Sequence, residues 1–291
     1  MSVQTTDYAA SEIRSPARFF ANRVFIYGAL VFWAFICLFP IYWTITTSFK
    51  TAVDVTQGWR SLGLSPDSIF RTSTVRDEFI KRFMNSVITS VGASSLAIVI
   101  GSLAAYGLTR YRYHFAWFKN EDISFFFLSQ LILPPVVLAL PFLVLYREVG
   151  MLDTRIGLIL LYTLMVLPIV IWIMRDQFNS IPVELEEAAL VDGLSIWGAF
   201  FRIVMPIALP GMVAAFILAM VLCWNEYFFA ALLTSTDAKT IPVMVASQTG
   251  SQGINWWSMA ALATAAITPL AVIGIALERY LIMGMTAGAV K

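Results

Sequence analysis

Long apolar stretches, each closed off by a short polar segment, set the pattern of this chain. Six of them, at 24–47, 84–108, 123–146, 156–178, 207–233 and 258–282, meet the ~20 residues that a helix needs to cross a ~30 Å hydrocarbon layer. Pro134, Pro135, Pro141 and Pro168 fall in the third and fourth stretches and predict kinks or breaks there, because proline removes an N–H and crowds the preceding turn. The stretches lack period-two alternation and are too long for the strands of a membrane barrel. The pattern predicts an all-α integral membrane protein with six transmembrane helices. Its parts are a polar segment 1–23, a first helix 24–47, a loop 48–83, a core 84–282 and a tail 283–291. Ser15-Pro16 reads as an N-cap followed by proline in the first turn, and the run after it is longer than a signal-peptide core, so the first helix is expected to be retained.

Composition agrees. Of 291 residues, 59% are hydrophobic and 13% charged, against about 25% charged in ordinary soluble domains. Mean hydropathy is +0.79. A net charge of +1 leaves no electrostatic footprint for nucleic acid. Charge does not orient the chain either: with the N-terminus inside, ten Lys and Arg fall in inner segments and nine in outer ones. Cys37 and Cys223 both lie within apolar stretches and read as buried, inert thiols rather than a disulfide framework.

Without a hydrophobic drive between helices in lipid, close packing depends on small residues four apart. Ala93, Ala97, Gly101 and Ala105 form one such stripe in the second stretch, and Ala261 and Ala265 beside Ala260, Thr264 and Thr268 form another in the last. Polar residues inside the stretches are few. Asn225 and Glu226 lie in "LCWNEYFFAALL", where a carboxylate needs a wet cavity, a partner or the interface. Two readings fit them: a translocation cavity, or a structural cap near the membrane surface flanked by Trp224 and Tyr227. Gln130 beside Pro134-Pro135 is a further cavity candidate. His114, the one histidine, sits in the basic "TRYRYHF" and reads as solvated. The sequence contains no GxxxxGK[ST], no HExxH and no cysteine–histidine ligand set, so catalytic, nucleotide and metal sites are not expected in this chain.

One segment breaks the apolar pattern sharply: "SIPVELEEAALVDGLSIWGAFFRIVMPIALP", from Ser180 to Pro210. Ile181-Pro182 ends the incoming chain, and the stretch from Pro182 to Leu190 reads as a short helix with Glu184, Glu186 and Glu187 in its early turns. Gly193 permits a sharp reversal before a second helix from about Ser195. That second helix has an apolar face, Ile196, Trp197, Phe200, Phe201 and Val204, suited to a membrane surface or a partner.

Here the chain resembles the permease subunits of bacterial ATP-binding-cassette importers. "EEAALVDG", followed by "IVMPIALPG", is similar to the EAA loop of that family, with Glu187, Ala188, Ala189, Asp192, Gly193, Pro206 and Pro210 in its order and spacing. "GSLAAYGLTRYRY", "WNEYFFAALL" and the terminal "GMTAGAVK" resemble the carbohydrate-importing, maltose-type branch. The first stretch and residues 48–82 carry little of the likeness.

The resemblance implies a type I importer permease fold in a bacterial cytoplasmic membrane, with a cytoplasmic coupling helix in the EAA loop, 180–206, and both termini cytoplasmic. It implies as partners a second permease subunit, two ATPase subunits that bind ATP and Mg, and an extracytoplasmic solute-binding protein. No cofactor is expected on this chain itself. Glu184, Glu187, Ala188, Ala189, Asp192 and Gly193 would couple to the ATPase. The tail residues Gly284, Thr286, Ala287, Gly288 and Lys291 would run along the ATPase dimer, although composition alone fits a disordered terminus as well. Gln248, Thr249, Gly250, Ser251, Gln252 and Gly253 would reach the binding protein, against the plainer reading of a surface turn. The solute implied is a sugar, polyol or related molecule. A non-carbohydrate importer is the neighbouring alternative, and a secondary transporter or channel subunit the more distant one, for which an inverted repeat or embedded ion site would be needed.

Overall fold

The computed structural model describes residues 16–50, 73–113, 119–250 and 253–276. The tail residues, Ser251, Gln252 and His114 lie outside the described residues. Helix α1 (Pro16–Ser48) is followed by α2 (Ser73–Arg110), α3 (Asn120–Ser129), α4 (Pro135–Glu148) and α5 (Arg155–Asn179). Then come α6 (Glu184–Val191), α7 (Ile196–Ala199), α8 (Met205–Trp224), α9 (Phe228–Leu233) and α10 (Ile241–Ala246). A two-stranded hairpin, β1 (Thr249–Gly250) with β2 (Gly253–Ile254), leads into α11 (Trp256–Ala276). Among the described residues, five helical stretches are long and apolar enough to cross a membrane, and α3 with α4 makes a sixth if that bent pair is one span.

The third span is broken. After α3 the chain makes a 3-10 turn, Gln130–Ile132, and α4 leaves at 92° to the incoming direction. Pro134 holds Leu133 extended at φ −68° and ψ 122°, a conformation that ends the incoming helix, and Pro135 is compatible with the first turn of the next. The fourth span behaves differently: α5 runs unbroken past Pro168. The fifth is shifted toward the N-terminus of the expected stretch: it starts at Ile196, α8 stops at Trp224, and a separate short helix, α9, starts at Phe228. The loop assigned to 48–83 is helical in its last part, because α2 begins at Ser73.

Helix α2 is the centre of the bundle and packs against both α5 and α8. Its small-residue stripe faces inward: Ala93, Ala97 and Ala105 are fully buried, and a Cβ on Gly101 would stand 2.7 Å from Val170 Cγ1 of α5. Three buried polar residues on the same helix are satisfied along it. Thr89, Ser90 and Ser94 each donate to the carbonyl four residues earlier, at 2.8, 2.6 and 2.7 Å. The outermost helix is α1, which packs chiefly on α11 and leaves most of its apolar side chains exposed. Cys37 is therefore exposed, contrary to the sequence reading, whereas Cys223 is buried.

Candidate functional site

The EAA segment forms the two-helix turn that its residues imply. Helix α6 ends in a Schellman arrangement: Gly193 has φ +88°, its N–H donates to Leu190 O at 3.1 Å, and the Leu194 N–H donates to Ala189 O at 3.0 Å. Ser195 then caps α7, its hydroxyl accepting from the Gly198 N–H at 3.1 Å. The expected surface helix after Ser195 is instead the start of the next span. One apolar stretch runs from Ile196 to Trp224 through a π-helical turn, Phe200–Val204. Burial of Phe200 and Val204 draws this turn into the core, while Trp197 and Phe201 remain exposed.

Position along α6 decides which glutamates are free. Glu184, Glu187, Ala188 and Val191, spaced i, i+3, i+4 and i+7, are all exposed, Val191 to 87%. Asp192 and Gly193 continue that outward surface. Ala189 and Glu186 face inward and are buried. Leu185 and Leu190 are exposed as well, so the outer surface is mixed apolar and acidic.

Glu186 was not singled out by the sequence, yet it is the anchor of this helix. Its Oε1 accepts from Arg110 Nε at 2.6 Å, and its Oε2 accepts from the Tyr106 hydroxyl at 2.6 Å. Arg110 Nη2 donates in addition to Ile181 O at 3.0 Å. Tyr106 packs edge-on to Phe178 of α5, at 5.8 Å, and against Phe200 of the π-turn, at 4.6 Å between ring centroids. The available signal was an arginine in the last turn of an otherwise apolar span, facing a loop with more glutamates than one exposed helical face can hold.

A second polar knot closes the opposite end of the bundle. Asp153, at φ +54°, accepts from the backbone N–H groups of Ser235, Thr236, Asp237 and Ala238 at 2.9 to 3.1 Å. Burial alone would raise its carboxyl, but these backbone hydrogen bonds outweigh that and hold it well below the usual carboxylate range. From α2, Lys81 pairs with Asp237 at 2.6 Å and Arg82 donates to Thr236 O. Asn85 donates to Asp237 O and Lys239 O at 2.7 and 2.8 Å and accepts from Arg155 Nε at 2.7 Å.

The interior candidates do not converge. Gln130 is exposed at the α3–α4 break, its amide 3.4 Å from Phe126 O. Asn225 is the C-cap of α8 and opens on a largely apolar groove of about 310 Å³ between α8, α10 and α11. Glu226 adopts the capping arrangement, its two oxygens accepting from the Phe229 and Ala230 N–H groups at 2.8 and 3.1 Å. The loop before α11 is a hairpin in which Thr249 pairs with Ile254 and Gly250 with Gly253, and the Gln248 amide turns back to Met244 O at 3.3 Å.

Residues 97–286 match the sequence profile of the family described as binding-protein-dependent transport system inner membrane component. The chain is 33% identical to the trehalose transport system permease protein SugB of Mycobacterium tuberculosis, over 87% of this chain and 92% of that one. It is 30% identical to the diacetylchitobiose uptake system permease protein DasC of Streptomyces coelicolor, over 87% and 92%. Against the trehalose/maltose permease MalG of Thermococcus litoralis the identity is 29%, over 93% and 97%. Among solved structures, a chain of a bacterial importer of the acidic polysaccharide alginate superposes with a TM-score of 0.69 at 22% identity, over 89% of this chain and 97% of that one. At that identity the likeness speaks for the fold alone.

Proposed function

The chain belongs to the family of binding-protein-dependent transport system inner membrane components, as a multi-pass permease subunit, and we propose that it carries a sugar, polyol or related solute in an ATP-driven importer. The observation that carries the coupling role is the outward surface of α6. Glu184, Glu187, Ala188 and Val191 stand exposed on a short helix whose other face is pinned to the bundle by Glu186. Such a helix is preorganised for a protein cleft. An ATPase subunit would occupy it, with Glu187 meeting a cation, and ATP with Mg would be bound and hydrolysed there and not on this chain.

This puts α6 at the cytoplasmic end. On that reading six crossings, counting the bent α3–α4 pair as one, would bring both termini to that side. Closure of two ATPase subunits on ATP would move the α6 helices of this chain and of a second permease, and the spans would alternate between inward and outward access. The tail from Gly284 to Lys291 would follow the ATPase dimer. The hairpin around Gln248 and Thr249 would face the extracytoplasmic binding protein, and Gln130, Asn225 and Glu226 would border the solute path. The carbohydrate class rests on the relatives named for trehalose, maltose and diacetylchitobiose.

The test is Glu187→Lys, which reverses a charge outside the spans. ATPase subunits are expected to be lost from the permease on co-purification in detergent, and uptake with them, because like charges would be buried together. Full ATPase retention with full uptake would overturn the coupling role.

A further inference from the structure

Helix α6 is joined to its neighbours in two different ways. Along the chain it packs on α7 and the π-turn, its immediate continuation. Across the fold it is held by side chains of α2, 76 and 80 residues earlier in the chain. That second attachment is a connected network: one Glu186 oxygen takes Arg110, the other takes Tyr106, and Arg110 also holds the Ile181 carbonyl. Their side chains are 12% and 8% exposed for Arg110 and Glu186. An ion pair this dry, with both carboxylate oxygens and two of the guanidinium nitrogens engaged, specifies one geometry and resists shear, since any sliding leaves a charge unpaired.

Helix α2 is also gripped by polar side chains at both of its ends. At the other end Lys81, Arg82, Asn85 and Ser86 hold the segment from Thr236 to Ile241, which runs directly into α10 and the hairpin. Between these grips α2 is buried by small residues against α5 and α8.

We propose that α2 is the element that takes up the movement of the coupling helix, with Arg110 and Tyr106 as positioning residues that clamp Glu186 so that α6 and α2 travel as one body. The proposal rests on the reading that an ATPase docks on α6, and it names the helix to which that docking is transmitted. The distance from α6 to α2 then stays constant through the ATP cycle even as the spans rearrange.

The experiment uses the assembled complex with Cys37 and Cys223 replaced by alanine and nitroxide labels at Val91→Cys on α2 and at Val183→Cys, the N-cap of α6 outside its docking surface, both exposed positions. Electron–electron distances are measured without nucleotide and with ATP, Mg and vanadate. The expected result is one narrow distribution, unchanged between states, that broadens in Glu186→Gln while the ATPase still co-purifies. ATPase stimulation by binding protein with trehalose, maltose or diacetylchitobiose as probes should fall about tenfold in that variant, an ordinary coupling energy. A shift in distance on adding ATP to the unsubstituted pair, or a Glu186→Gln distribution as narrow as the parent, overturns the proposal. Failure of ATPase subunits to co-purify with the parent permease would instead remove the docking reading beneath it.

Discussion

Asp153→Asn isolates what a single carboxylate does for the end of the bundle opposite α6. Oδ1 accepts from the Ser235, Asp237 and Ala238 N–H groups at 3.1, 3.1 and 3.0 Å. Oδ2 accepts from the Thr236 and Asp237 N–H groups, both at 2.9 Å, and from the Ser235 hydroxyl at 3.1 Å. Asparagine tolerates the left-handed backbone at this position, so the substitution changes charge without adding strain. One oxygen becomes an NH2 that cannot accept, stranding the donors that face it, and the donors on the other oxygen lose their charge assistance. Charged hydrogen bonds contribute about 1.5–3 kcal/mol each and neutral ones about 0.5–1.5, and donors at this half-exposed site recover part of the loss from water, leaving about 2–4 kcal/mol.

The readout is hydrogen exchange of the amides from Ser235 to Ala238 in detergent, which should quicken by roughly 30- to 700-fold at neutral pH if this loop opens locally. The sign of the pH dependence follows from a folded-state carboxyl held below its ordinary range. Its contribution is complete above the unfolded value of about 3.9 and fades as pH falls through the depressed folded value. The variant and the parent should therefore differ fully at pH 5 to 7, with a difference that begins to shrink below about pH 4 and is lost only once pH lies under the depressed folded value. Unchanged exchange at pH 7, or a difference that persists undiminished in acid, refutes the reasoning.

Two glycine contacts make a paired test by thermal melting in detergent. Gly101→Ala places a methyl 2.7 Å from Cγ1 and 3.3 Å from Cβ of Val170, a stiff branched side chain, and should cost about 1–3 kcal/mol. Gly211→Ala meets the Gln177 side chain from Cγ, at 2.7 Å, outward, but that unbranched chain can change rotamer where Val170 cannot, so its loss should be the smaller; equal losses would contradict this. At Gly193 there is nothing within 4 Å of an added Cβ but φ is +88°, so Gly193→Ala should add only backbone strain of about 1–2 kcal/mol. Gly193→Asn, which tolerates that region, should retain more ATPase in co-purification than Gly193→Ala, and the reverse order would argue against a strained turn.

Local signals in the sequence were strong where one short segment carries both the pattern and its cause. The reversal at Gly193, the cap at Ser195 and the inward stripe of Ala93, Ala97 and Ala105 are of this kind. The break in the third span was legible as a risk at Pro134-Pro135, but proline has no fixed outcome: the same residue at 168 leaves α5 continuous. The separation of α8 from α9 was missed because hydropathy stays high across Asn225 and Glu226, while the break depends on where the Glu226 oxygens find backbone donors.

The sequence by itself determined the membrane-spanning character, the helical class, the approximate spans and the place of the EAA loop, since each depends on hydrophobic length or on residues within a few turns of one another. Only the tertiary structure decided which of three neighbouring glutamates is buried and which are free. It joined Arg110 to Glu186 and Asp153 to the segment from Ser235 to Ala238, partners 76 and 82 to 85 residues apart. Charge pairs of that separation leave no periodic trace in a chain. They exist because α2 and α5 cross the bundle side by side in the same direction, start against start and end against end, and so bring distant loops to the same ends.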